Sequence, residues 1–325
     1  MSGVATATQM NSLRFVIEHG VTTRFANGRW TRGIGWPRLR RCYLENRTAN
    51  ESTLCVSRFW KMVSAWGVLV SKVAPDMALA NRFLDARGPD DHVLHVGITG
   101  SHIYGFPSPD SDIDMKGIHV ATTTQLLTLN PKSPPFDRLE FFEGVECDLT
   151  THEVAHALSM LVKGNGNVLE RILSPFQLRD SGRFEALQSL TQASVHRGFH
   201  NHYSGYFRGM QREHLLQRRA KTALYAYRVA LTGARLLESG ILETDVGQLS
   251  QEFGFPVVQD LVEFKSSMPE KATIADDLDA LAQADWPRLQ SLLDEAHASS
   301  SLPIECSNQA QLESWLLELR RVNWE

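Results

Sequence analysis

Residues 97–117 read GITGSHIYGFPSPDSDIDMKG, and the fold turns on how this stretch is read. Its second half runs into Ile113–Val120, whose apolar and β-branched content has the pattern of a strand. In a strand, residues two apart share a face. Asp112 and Asp114 therefore stand side by side, with Ile113 and Met115 turned towards a core. Adjacent carboxylates raise each other's proton affinity. A divalent cation removes that penalty, and hard oxygen ligands on a rigid strand suit Mg²⁺, which keeps waters and substrate phosphates as its remaining ligands. In the first half, Gly100 lets the backbone approach a ligand closely. Ser101 adds a hydroxyl and free amides at the start of a short helix, a ready place for an anion.

Reading outward, His92–Ile98 (HVLHVGI) is a short buried strand interrupted by Gly100-Ser101, and Gly117 marks a bulge in the strand that follows. Leu139–Leu149 (LEFFEGVECDL) is a hairpin turning at Glu143-Gly144. It carries Asp148, with Glu146 on the same face as a solvated neighbour and Cys147 on the other. Asp112, Asp114 and Asp148, from two neighbouring strands, form a set able to hold two ions ~3.5–4 Å apart. Asp148 is the carboxylate expected to help deprotonate an attacking hydroxyl. Thr150 and Glu153 have capping-box spacing ahead of Val154, Leu158 and Leu161. Glu170 and Arg171 read as a structural pair, and Pro175 closes that helical segment. Neither GxxxxGK[ST] nor GxGxxG occurs, which disfavours P-loop and dinucleotide-binding readings.

The rest of the chain sets limits. At 325 residues, 42% hydrophobic and 22% charged, with a net charge of −4, it is neither disordered nor a multi-span membrane protein. The four cysteines lie far apart, so no zinc or disulfide framework is indicated and a cytoplasmic setting is expected. Nine arginines and three acids lie between Met1 and Trp60. That balance also suits an organelle transit peptide, although a disordered arm or a mis-called start codon is the simpler reading. Leu54–Val70 reads as a buried helix rather than a membrane span, and Asp76–Ala86 as a helix ending at Gly88. The expected layout is an extension over 1–75, partly disordered and then helical, a sheet-bearing domain over 76–180, and a helical domain over 181–325. The last begins basic, with eight Lys/Arg and two acids over 196–238, and ends acidic, with sixteen acids and five bases over 239–325. Lys221, Tyr225, Arg228 and Arg235 are spaced to share one helix face. Such a face suits phosphates and a stacked base, which marks Lys221, Tyr225 and Arg228 as nucleotide-binding candidates. His196, His200 and His202 have no nearby carboxylate or cysteine to complete a metal site and read as surface or acceptor-binding histidines.

Gly100-Ser101, Gly105 and Ser111-Asp112-Ile113-Asp114 together resemble the GS…DxD signature of the DNA polymerase β-like nucleotidyltransferase superfamily. Asp148-Leu149, Gly164-Asn165, the run Leu169–Pro175 and the helix Lys221–Arg228 look like its RNA-repair-associated branch, the RlaP-like predicted nucleotidyltransferases. The resemblance covers roughly residues 80–240. It implies an α+β fold: a small mixed β-sheet of the polymerase β palm type with flanking helices, plus a mainly helical second domain, with the site between them. It implies transfer of a nucleoside monophosphate from an NTP to an acceptor hydroxyl, an RNA end being one candidate, with release of pyrophosphate. On this reading Asp112, Asp114 and Asp148 are the catalytic Mg²⁺ ligands for two ions, and Gly100 and Ser101 hold the triphosphate. Two rival classes stay open: a catalytically inactive, antitoxin-like binding module, and an adenylyltransferase acting on a protein or small molecule. The intact Gly100-Ser101 and the three carboxylates favour an enzyme.

Overall fold

The computed structural model describes residues 14–17, 21–26, 29–30, 74–89, 92–108, 111–131, 134–269 and 271–322. They belong to two units, 1–70 and 71–325. The first contains antiparallel strands β1 (Arg14–Ile17), β2 (Val21–Ala26) and β3 (Arg29–Trp30), in that order. The helix expected over 54–70 lies outside the described residues.

The second unit begins with α1 (Met77–Arg87), capped by Asp76, which accepts from the Leu79 amide at 2.9 Å. A five-stranded mixed sheet follows, ordered β6-β7-β5-β4-β8. Its strands are β4 (His92–Ile98), β5 (Ile113–Val120), β6 (Phe136–Phe142), β7 (Val145–Glu153) and β8 (Phe176–Asp180). β5 and β7 run parallel and the other pairs antiparallel. The fold class is α+β, as expected. β8, a five-residue edge strand of mixed polarity, had too little periodicity to be seen in the sequence.

Two apolar layers sandwich the sheet. On one face α1 packs Leu79, Ala80, Phe83 and Leu84 against Val96, Ile98, Ile113, Met115, Cys147 and Leu149. On the other face Leu94, Ile118 and Val120 join the core of the helical body. Ile113 and Met115 are thus anchored on the α1 side, each worth about 1.5–3 kcal/mol of burial. That anchoring fixes Asp114 and Lys116 on the opposite face. The bulge lies on β4, not at Gly117: the register against β5 shifts between Val93 and His95, so Leu94 and His95 both turn to the helical side. Gly117 serves another purpose, since a β-carbon there would lie 2.5 Å from the His95 carbonyl oxygen.

Short helices α2 (Ser101–Tyr104) and α3 (Thr123–Leu126) flank β5. After β7 come α4 (Val154–Val162) and α5 (Gly166–Leu173). The cap of α4 is Glu153, which accepts from the Ala155 amide at 2.7 Å. Thr150 is still within β7, because the strand runs further than the capping-box spacing suggested. Beyond β8 the chain is helical: α6 (Phe184–Ala193), α7 (Phe199–Gln217), α8 (Ala220–Ser239), α9 (Val246–Phe253), α10 (Val257–Ser267), α11 (Asp276–Ala284), α12 (Trp286–Ser299) and α13 (Gln309–Val322). α8 is the axis of this body, with Ala223, Leu224, Ala226, Tyr227, Val229, Ala230 and Leu231 fully buried. α13 returns to the sheet, where Arg320 donates to the Ala121 carbonyl at 2.9 Å and pairs with buried Glu153. The sheet and the helices after Asp180 share one core. Among the described residues no helix is long and apolar enough to cross a membrane.

Candidate active site

A cleft of about 190 Å³ opens where β4 leaves the sheet and β5 enters it. Ser101, Ser108, Ser111, Asp112, Asp114, Lys221, Tyr225 and Lys265 line it. The turn after β4 is built around Gly100, at φ 69° and ψ −151°. A β-carbon on Gly100 would stand 1.9 Å from Asp114 Oδ2, so only glycine lets the turn lie against that carboxylate. The Thr99 amide donates to the Asp114 carbonyl at 2.8 Å and ties the two segments together. Ser101 Oγ is buried with no hydrogen-bond partner. An orphaned hydroxyl beside two carboxylates calls for a polar ligand.

The carboxylates are crowded. Burial, with Asp112 and Asp148 adding to it, outweighs Lys116 and Lys221 and pushes the Asp114 carboxyl up to about 6. Asp148 lies directly across the parallel β5–β7 pair from Asp114. Its side chain, however, accepts from Lys116 Nζ at 2.7 Å, and the same ammonium lies 3.3 Å from Thr150 Oγ1. Among the described residues no three His, Cys, Asp or Glu side chains converge to hold one ion. The structure thus puts Asp112 and Asp114 in the cleft and Asp148 on Lys116. Asp112, Asp114 and the Ser101 hydroxyl suit one Mg²⁺ with its waters and a phosphate chain. A second ion would need Asp148 to leave Lys116.

The helical body supplies the other wall. Lys221 and Tyr225 stand in the first turns of α8, and Lys265 comes from α10. Lys265 Nζ donates to Ser108 Oγ at 3.0 Å, and Ser108 Oγ lies 3.1 Å from Ser111 Oγ. Sequence reasoning missed Lys116, Lys265 and Ser108. None of the three carries a local signal.

Arg228 departs from its expected place. It is 1% exposed and does not line the cleft. Its Nη1 lies 2.8 Å from Glu170 Oε1, and its guanidinium sits 4.0 Å from the Tyr104 ring centroid, with the Tyr225 and Tyr206 rings at 5.4 and 5.6 Å. Tyr104 donates to the other Glu170 oxygen at 2.8 Å. Helical spacing put Arg228 on the stripe of Lys221 and Tyr225, but that stripe runs inward, where Arg228 meets Tyr104 of α2, Glu170 of α5 and Tyr206 of α7. Glu170 therefore pairs with Arg228 and not with Arg171, which instead donates to the Gly117 carbonyl at 3.0 Å. Adjacent helical residues do not face each other. The buried group acts as a bracket, joining Tyr104, three residues after Ser101, to Tyr225 in the cleft.

The basic stretch is largely consumed inside the fold. Arg218 pairs with Asp276 and Asp279, Arg235 with Glu252, and Arg197 donates to the His297 carbonyl. Arg208 and Arg212 are exposed on α7. His196 is buried, and His200 bonds Asp294 at 2.8 Å.

The sequence pattern of the RNA repair pathway DNA polymerase beta family (RlaP) matches residues 78–318. Among solved structures, a nucleotidyltransferase-like protein from Exiguobacterium sibiricum 255-15 is 13% identical, over 75% of this chain and 87% of that one, with a TM-score of 0.30. No curated protein matches.

Proposed function

This chain belongs to the RNA repair pathway DNA polymerase beta family, and on that footing we propose that it transfers a nucleoside monophosphate from an NTP to an acceptor hydroxyl. One observation carries the reading. The Gly100-Ser101 turn, the Asp112/Asp114 pair and two lysines from α8 and α10 meet in one cleft. An acidic edge facing a cationic wall suits a metal-bound triphosphate, whose charge must be met from both sides.

The chain's own groups do the following. Ser101 Oγ and the adjoining backbone take triphosphate oxygens, and Lys221 and Lys265 take the negative charge of the departing pyrophosphate. Tyr225, held edge-on by Tyr104 and Phe106 at centroid distances of 5.6 and 5.8 Å, offers a ring to the nucleotide. The acceptor oxygen attacks the α-phosphorus, the bond from that phosphorus to the β-bridging oxygen breaks, and pyrophosphate leaves. The acceptor's proton passes to a carboxylate, for which Asp148, once it has left Lys116, is the candidate. Asp112 and Asp114 would hold Mg²⁺, which when bound supplies charge neutralisation and alignment for an in-line displacement. The acceptor proposed is an RNA end, in keeping with the family's description, with Arg208 and Arg212 as exposed phosphate contacts.

The test is incubation with each labelled NTP, Mg²⁺ and a pool of short RNAs. Pyrophosphate release and RNA labelling are expected, and both should vanish in the Asp112→Ala/Asp114→Ala double variant. Pyrophosphate release without RNA labelling would move the acceptor to a protein or small molecule. Tight NTP binding with no turnover under any condition would replace the enzyme with a binding module. Lys221→Met is expected to raise the NTP KM by about tenfold or more, since a charge-assisted hydrogen bond is worth roughly 1.5–3 kcal/mol. An unchanged KM would remove Lys221 from the phosphate site.

A further inference from the structure

We propose that Lys116 is a built-in counter-cation that holds Asp148 out of the metal site and keeps the nucleotide-free protein from binding a second divalent ion. The inference rests on the metal-dependent reading above and goes beyond it. Three observations carry it. Asp148 stands in register with Asp114 across parallel strands, where both side chains leave the same face. Yet it is not among the residues lining the cleft, and no three acidic or imidazole side chains among the described residues converge on one point. The reason is next to it: Lys116, two residues past Asp114 and on the same face, lies 2.7 Å from Asp148 Oδ2.

Three carboxylates within one patch repel, and a single ammonium at its edge relieves the repulsion with a fixed positive charge. An ammonium is monovalent and has only hydrogen bonds to give, so a divalent ion brought in with the triphosphate can outcompete it. Asp148 and Lys116 are both partly exposed, at 35% and 22% of their side chains. The pair is therefore solvated enough to part at low cost. When it parts, Asp148 turns towards Asp114 and the Lys116 ammonium is released towards solvent or substrate.

The experiment is Mn²⁺ binding to the full chain, by calorimetry and by electron paramagnetic resonance of free ion, without nucleotide. The wild type should bind one ion. Lys116→Met, and independently Lys116→Gln, should either admit a second ion or tighten Mn²⁺ binding about tenfold or more. The gain should disappear when Asp148→Asn is added. A lysine serving only the fold would give weaker metal binding when removed. No gain in either variant would overturn the proposal, as would an equal gain in the Asp148→Asn background, which would show a general charge effect. Should no protein, wild type included, bind Mn²⁺ even with an NTP present, the metal-dependent reading itself would fall. That result is distinguishable because the wild type would then show no site at all.

Discussion

Asp114→Asn is expected to lower nucleotidyl transfer by about 10³-fold and, in metal-free buffer at pH 7.5, to raise the melting temperature. The first effect follows from losing a ligand whose ion contributes several kcal/mol to the transition state. The second follows from burial and crowding. The folded protein holds the Asp114 carboxyl at about 6, while an ordinary aspartate titrates near 3.8. The folded chain therefore binds this proton more tightly than the unfolded one does, and stability falls as pH rises between those two values. Above about pH 6 the full penalty is present. Two pKa units correspond to about 3 kcal/mol, and solvent at the cleft reduces that to about 1–2 kcal/mol. At roughly 2–4 °C per kcal/mol for a unit of this size, the gain is a few degrees. It should shrink at pH 5 and vanish below pH 4. Calorimetric scans of both proteins at the three pH values in EDTA would decide it. A lower melting temperature for Asp114→Asn at pH 7.5 would mean that the carboxylate is held by favourable partners and carries no strain.

Arg228→Met is expected to cost about 3–5 kcal/mol of stability, the usual penalty for stranding a buried charge. Glu170 is 3% exposed, and its two oxygens are taken by Arg228 and Tyr104. With the guanidinium gone, the carboxylate must stay ionised without a partner or take up a proton. The melting temperature should fall by about 10 °C or more. Adding Glu170→Leu should recover much of the loss, because a neutral pair of similar volume needs no charge compensation. Chemical denaturation of the two single variants and the double variant gives the coupling energy directly. Additive losses would mean that the guanidinium contributes chiefly by packing on the Tyr104 ring.

The fold was legible where short-range patterning and chemistry agreed. Ile113 and Met115 turn to the α1 side and Asp114 to the other, and that alternation identified β5 and its carboxylate face. Gly100 was legible as a position of close approach, and the group that approaches it is the Asp114 carboxylate. The illegible parts of the cleft came from distance. Lys265 is 157 residues from Ser108, the residue it bonds, and no local pattern marks it. Lys116 was present in the decisive stretch and was passed over, since a single lysine on a strand usually faces water. Arg228 shows the converse error. Spacing places a residue on a helix stripe but says nothing of how deep each point along the stripe lies. Arg228 stands two turns further along α8 than Lys221, and those two turns carry it from the cleft into the core.

The grip of α13 on the sheet has a bearing on how the chain comes into being. Ala121, at the end of β5, and Arg320, which clasps its carbonyl, are 199 residues apart. A ribosome adding roughly 5–20 residues per second supplies the second some 10–40 s after the first. Throughout that interval the strand bearing Asp114 exists without its final clasp, and the buried Glu153 carboxylate lacks its cation. The nascent sheet must then wait, partly assembled, for nearly the whole helical body to emerge, and this is the period in which a chaperone would have most to hold.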